Sequence, residues 1–227
     1  MSLLPRIKLW LGFFTKISYQ RDLPLVISAF RHRHTHPIPS HIWQMIDKNG
    51  GFLSRKEAGL LYWAACNWPV AGSVIELGSY EGRSTGIFAL AGRQVYAVDA
   101  WSLDVADLSA FGQGTVQADI VFDRFKANLR DMQIENKVSI HRGLTSTVAK
   151  TWHQEAAILF IDAGHTYQDV KSDLRLWTPH LHPQGILLMH DVLGDTFLGV
   201  TQAASELLSS GWQVVASAGS IVAFQRK

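Results

Sequence analysis

Val74-Ile-Glu-Leu-Gly78-Ser-Tyr-Glu-Gly82-Arg-Ser-Thr85 is the stretch whose reading decides the fold. A short apolar run leads to a turn bracketed by two glycines, and Ser84 and Thr85 then open onto Ile87, Phe88 and Leu90. The pattern predicts a buried strand, a tight turn and the first turns of a helix. Glycine at each end lets the backbone take conformations closed to other residues and lets a ligand come close. The helix N-terminus leaves unpaired N–H groups and the positive end of its dipole facing the same crevice. Glu76, at the strand end, is badly suited to greet a phosphate and better suited to help hold a positively charged ligand. A dinucleotide fingerprint requires G-x-G-x-x-G, whereas Gly78 to Gly82 spells G-x-x-x-G.

Outward from this stretch the chain alternates strands and helices. Ser54 to Glu57 has the S/T-x-x-E form of a helix start, and Leu60, Leu61, Trp63, Ala64 and Trp68 follow one helical face. Gln94 to Asp99 reads as a second strand ending in an acid. Asp99 falls 21 residues past Gly78, the separation that sets a carboxylate beside a ribose hydroxyl pair. Trp101 to Gln117 reads as a loop bordering the pocket, and Asp119 to Met132 as a helix. Further strands are expected at Lys137–His141, Ala157–Asp162 and Gly185–Asp191, and further helices at Gln168–His180 and Phe197–Ser209, the last stopped by Gly211. The closing runs around Ser217-Ala-Gly-Ser220 are too close together for a crossover helix and predict an antiparallel hairpin. The fold class is α/β, with helices on both faces of a mostly parallel sheet.

The 227 residues carry a net charge of +2, which argues against a nucleic-acid partner bound by bulk electrostatics. Cys66 is the one cysteine, so neither an internal disulfide nor a cysteine zinc site can form, and a reducing, cytoplasmic setting fits. The charge is uneven. Residues 1–40 hold Arg6, Lys8, Lys16, Arg21, Arg31 and Arg33 against Asp22 alone. The expected division is a basic, partly apolar appendage over residues 1–45 and one catalytic domain over 46–227. Met1 to Ile17 has neither the unbroken apolar core nor the cleavage site of a secretory signal. It reads as an amphipathic helix, lying on a membrane surface or a partner, or packed on its own domain. His32, His34, His36 and His41, beside Pro37 and Pro39, read as a linker ahead of any metal site.

Taken together, "IELGSYEGRST", "VYAVDAW", "LFIDAGHTYQDVKSDLRLWTPHLHPQGILLMHD" and "GWQVV" resemble the class I S-adenosylmethionine-dependent methyltransferases, within them the macrocin-type and cephalosporin-cluster group. The resemblance covers roughly Phe52 to Arg226. It implies a Rossmann-like, seven-stranded sheet closed by the hairpin, and O-methylation of a small-molecule or carbohydrate-like hydroxyl. It also implies that Glu76, Gly78, Ser79, Tyr80 and Gly82 wall the methionine and ribose. Ser84 and Thr85 would hold the cofactor carboxylate, Asp99 the ribose, and Trp101 would lie near the adenine. Asp162, His190 and Asp191 would hold a divalent cation such as Mg2+ or Mn2+, and His165, with Asp162, would serve catalysis as the general base's site.

Four positions depart from the pattern that the resemblance brings. Ala163-Gly164 replaces Gly-Asp, Gln184-Gly185 replaces paired glycines, and His190 stands where some metal-dependent relatives have Glu. Leu144 stands where many relatives carry an acid that reads the adenine amino group. Two rival functions are a nicotinamide-dependent oxidoreductase and a cofactor-binding module without transfer activity. A homo-oligomer is compatible with the sequence.

Overall fold

The structure, a computed structural model, describes residues 19–101 and 118–227. The expected helix before Ile17 and most of the expected loop after Trp101 lie outside the described residues. The sheet has seven strands: β1 (Val74–Leu77), β2 (Val95–Asp99), β3 (Val138–Arg142), β4 (Ala156–Ile161), β5 (Leu181–Met189), β6 (Trp212–Ala218) and β7 (Ile221–Arg226). Their order is β3-β2-β1-β4-β5-β7-β6. The first five pair in parallel, and β7 runs antiparallel between β5 and β6. This is the α/β architecture expected from the sequence, with the hairpin closing the sheet where a dinucleotide fold would add another parallel strand.

Successive residues along the strands face opposite sides of the sheet and build two cores. Val74, Ile158 and Ile186 face one side, while Ile75, Leu159 and Leu187 face the other. Parallel strands buried on both faces explain the near-continuous apolar runs in the sequence. The first core is covered by α2 (Ser40–Ile46), α3 (Arg55–Asn67), α4 (Arg83–Leu90) and α5 (Ala118–Asp131). The second is covered by α1 (Tyr19–Arg31), α7 (Tyr167–Trp177) and α8 (Leu198–Ser209), while the single-turn α6 (Thr145–Val148) follows β3. The capping box predicted at α3 is present: Ser54 Oγ accepts from Glu57 N–H, and Glu57 Oε2 accepts from Ser54 N–H. β5 begins four residues earlier than expected, with a register shift against β4 between Ala156 and Ile158. The hairpin turns at Gly219, whose φ of +60° suits glycine, and its missing side chain leaves room for Glu57.

Residues 21–46 lie against the rest of the chain. Leu25 and Ala29 of α1 are buried with α8 and β6. Ser217 N–H donates to His32 O at 2.9 Å, His34 N–H donates to Ser217 O at 3.2 Å, and Ser217 Oγ donates to Ala29 O at 2.6 Å. The ring of His36 stacks on Trp63 at 4.5 Å. Among the described residues no helix is long and apolar enough to cross a membrane.

We propose on this packing that the folded unit starts before residue 21 rather than at 46. Removing residues 1–38 uncovers apolar surface on α8 and β6, and burying two side chains such as Leu25 and Val26 is worth about 3 kcal/mol or more. The truncated chain is expected to melt at least about 6 °C below the full one by calorimetry. Equal melting temperatures would restore the separable appendage.

Candidate active site

Between β1 and β4 the strand order reverses, and the crevice outside their carboxyl ends is where open α/β sheets bind ligands. Gly78, just after β1, has φ of +86°, and a Cβ there would sit 2.1 Å from the carbonyl oxygen of Asp162. Only glycine allows the two strand ends to come this close. Gly82 caps α4 with φ of +88°, its missing side chain occupied by the ring edge of Phe125. A cavity of about 550 Å³ opens here, and Gly78, Ser79, Tyr80, Ser84, Asp99 and Asp162 line one side of it. Its size suits a nucleoside-sized ligand.

Asp99 is fastened to the turn that it faces. Its Oδ2 accepts from the N–H groups of Ser79 at 2.8 Å and Tyr80 at 2.9 Å, and Oδ1 accepts from Trp101 N–H at 2.6 Å. Oδ2 is thereby filled, and Oδ1 keeps a lone pair for a further donor. Glu76 lies beneath the turn, fully buried, and does not itself line the cavity. Its Oε2 accepts from Ser79 Oγ and Thr85 Oγ1. Burial pushes its carboxyl up to about 7, against the hydrogen bonds of Thr85, Ser84 and Ser79, with Asp162 adding to the rise. Thr85 is turned toward Glu76 and does not line the cavity, whereas Ser84, which also bonds Glu76, stands at the cavity wall. Trp101 departs from expectation: it is 1% exposed, its ring packs on Phe122 and Phe125, and its indole N–H donates to Tyr80 O. The apolar pull of α5 keeps that ring out of the cavity.

Opposite the turn, β4 and β5 bring Asp162, His165, His190 and Asp191 together. His190 is the buried member. Its Nδ1 lies 3.0 Å from Asp162 Oδ1 and 3.2 Å from Asp191 Oδ2, and its Nε2 lies 3.8 Å from Glu57 Oε1. Burial lowers its pKa, but Asp162, Asp191 and Glu57 outweigh burial and raise it well above the ordinary value. These three acids thus favour the protonated form of His190. Among the described residues, a compact ligand set is Asp162, His165 and Asp191, one ligand atom of each lying within 4.8 Å of the others. His165 Nε2 is 3.4 Å from Asp191 Oδ2, and its ring stacks on Phe197 at 4.1 Å.

Several contributors were not foreseen. Glu57 carries a local capping signal, yet its Oε1 also accepts from Ser220 N–H at 2.7 Å and Ser220 Oγ at 2.8 Å, joining α3 to the hairpin. Arg83 donates to the carbonyls of Asp47, Asn49 and Leu53, and Gly50 N–H donates to Glu81, so residues 47–53 are strapped along the cavity. Phe52, 52% exposed, lines its rim near Tyr80. Nothing in the spacing of these residues announces their convergence.

The buried charges fix a pH profile. His190 holds its proton more tightly folded than unfolded, so its contribution is complete below about 6.5 and is lost as pH rises through its folded value. Glu57 behaves oppositely: burial raises it, but the bond to His190 and those from Ser220 and Ser54 carry it down from 4.5 to about 2. Its contribution is complete above about 4.5 and fades toward 2. Both contributions are complete between about pH 4.5 and 6.5, but Glu76, raised to about 7, and Asp173, raised to about 6, withdraw stability as pH climbs above their ordinary values, so the maximum is expected toward the lower end of that window. His190→Leu leaves three carboxylates uncompensated and should cost about 3–5 kcal/mol at pH 6, flattening the alkaline limb. A variant melting like the parent at pH 6 would contradict the ion cluster.

Comparison with known proteins agrees with this fold. A putative O-methyltransferase from Klebsiella pneumoniae superimposes with a TM-score of 0.62 at 13% identity, over 84% of this chain and 91% of that one. The O-methyltransferase TomG from Streptomyces achromogenes, solved with S-adenosylmethionine, superimposes with a TM-score of 0.59 at 13% identity, over 83% and 87%. These likenesses establish the shared fold. A curated relative from Sinorhizobium fredii (strain NBRC 101917 / NGR234), named Uncharacterized protein y4gI, is 26% identical over 141 residues, or 59% of this chain. The matched part spans only 15% of that relative's length. The sequence pattern of the methyltransferase domain matches residues 75–192, from β1 to just past Asp191. By that match, which spans more than half of its length, the chain belongs to the methyltransferase-domain family.

Proposed function

We propose that this chain transfers a methyl group from S-adenosylmethionine to a hydroxyl oxygen of a small-molecule or glycan-like acceptor. The observation that carries the reading is one cavity lined by the glycine turn, by Asp99 and by the histidine–carboxylate cluster. In this reading Asp99 takes the ribose hydroxyls, the N–H groups at the start of α4 and Ser84 take the methionine carboxylate, and Glu76 braces the turn from below. Three carboxylates face one imidazolium in the cluster, and the surplus negative charge suits a sulfonium. The solved O-methyltransferases of the same fold support oxygen as the target.

The reaction is an in-line displacement. The acceptor oxygen bonds to the methyl carbon as the carbon–sulfur bond breaks, and the sulfonium becomes a neutral thioether. The chain has to hold the acceptor in line and remove its proton. His165 takes that proton, and Asp191 beside it orients the ring and stabilises the imidazolium that forms. Phe197 fixes the plane of the ring by stacking.

A divalent cation fits the donor set Asp162, His165 and Asp191, two oxygens and one nitrogen. Bound there, it would act as a Lewis acid that lowers the pKa of an acceptor hydroxyl. One nitrogen cannot both ligate a cation and take a proton, and His190 already offsets charge on both acids. We therefore assign His165 the proton.

S-adenosylhomocysteine at about a hundred times its dissociation constant should raise the melting temperature by roughly 5–10 °C, and NAD should not. Asp99→Ala should remove most of that shift. A flat response to S-adenosylhomocysteine would sink the reading. In methyl-transfer assays over a panel of hydroxyl acceptors, His165→Ala should keep cofactor binding and lower turnover by about 10²–10⁴-fold. Turnover should survive EDTA. Loss in EDTA with recovery in Mn2+ would move His165 into the ligand set.

A further inference from the structure

Asp173, on α7, is a buried carboxylate that the mechanism above does not use. It is 2% exposed, yet it lines the cavity together with Leu144, Thr145 and Ser146 from the segment after β3. Among the described residues it receives one hydrogen bond, from Thr145 Oγ1 at 2.6 Å. An ionised carboxylate has room for about four, and a desolvated one left short costs free energy until a donor arrives. Burial raises its pKa to about 6, against the Thr145 bond and with help from Asp169.

Its place along the sheet edge says which donor it would meet. The strand ends run in the order β3, β2, β1, β4, so Gly143, Asp99, Gly78 and Asp162 succeed one another along the edge of the sheet. Gly143 N–H donates to Asp99 O at 2.8 Å, which fixes the segment after β3 beside the ribose-side acid. A nucleoside with its ribose on Asp99 and its sulfur toward Asp162 directs its base toward Thr145 and hence toward Asp173. Leu144, standing where the resemblance leads one to expect an acid, is 61% exposed and offers no acceptor.

We propose that Asp173 reads the exocyclic amino group of the cofactor's adenine, supplying from α7 the acceptor that residue 144 lacks. The inference rests on the S-adenosylmethionine reading and adds to it a residue that selects the base. Thr145 holds one oxygen in place, and the other faces the amine.

Titration calorimetry with S-adenosylhomocysteine and with S-inosylhomocysteine, whose base carries a carbonyl instead of the amine, tests this. The parent chain should prefer the amine by at least about 10²-fold, because a carboxylate facing a carbonyl oxygen is left unpaired. Asp173→Asn keeps the size and the Thr145 bond while presenting an N–H2 group. It should cut the preference at least about 10-fold, weakening the adenine compound and strengthening the inosine one. Thr145→Val, which removes only the supporting bond, should keep most of the preference. Equal affinities in the parent, or an unchanged preference in Asp173→Asn, would overturn this role while leaving cofactor binding intact. A preference lost equally in Thr145→Val would make the segment after β3 the reader instead. If neither compound binds the parent chain, both this role and the cofactor reading fall.

Discussion

The approach of Gly78 to the backbone of Asp162 is the constraint on which the site depends. A side chain there would collide with a carbonyl oxygen at 2.1 Å, so a larger residue would pry apart the ends of β1 and β4. Because these strands flank the reversal in strand order, their contact joins two halves of the site far apart in sequence. The turn from Gly78 to Gly82 brings the N–H groups and Asp99, and β4 brings Asp162 and, just beyond, His165. The cavity exists because parallel strands end together and two glycines let the loops leave them steeply.

A second set of forces holds the far wall. Glu57 takes part in the cap of α3, in the hairpin turn at Ser220 and in the environment of His190. Each interaction separately is ordinary; buried together, they are stronger than in water, and an unmatched member would be costly. The hairpin therefore does more than close the sheet, since its turn clamps the acid that neighbours the cluster. Thus the antiparallel end, the feature that most separates this chain from a dinucleotide-binding protein, is coupled to the chemistry. No observation supports the nicotinamide alternative.

Strands were legible because strands buried on both faces must be apolar almost throughout, as in Ala156–Ile161 and Ile186–Met189. The glycine turn and Asp99 were legible because their spacing follows from strand and helix lengths. Burial and side-chain direction were not. Trp101 sits at the strand end that faces the cavity, but hydrophobic contact with α5 turns its ring inward. The motifs implied a divalent cation at His190 and a base at His165, but they did not show the acids Asp162, Asp191 and Glu57, which favour the charged form of His190 against its burial. Glu57 showed its capping role, set by a three-residue spacing, but not its bond to Ser220 across 163 residues. The basic charge of residues 1–40 suggested an appendage, whereas the Leu25, Val26 and Ala29 stripe of α1 packs inward. The methyltransferase-domain match is broader than the macrocin-type and cephalosporin-cluster group that the motifs resemble.

The account's central claim is that one cavity joins the glycine turn to the histidine–carboxylate cluster around a single nucleoside cofactor. A crystal structure of the full chain with S-adenosylhomocysteine tests it most directly. The account predicts ribose hydroxyls on Asp99, the thioether between Gly78 and Asp162, and the open face of the sulfur toward His165 and Asp191. A nucleoside bound elsewhere, or reversed so that its base meets His165, would contradict it.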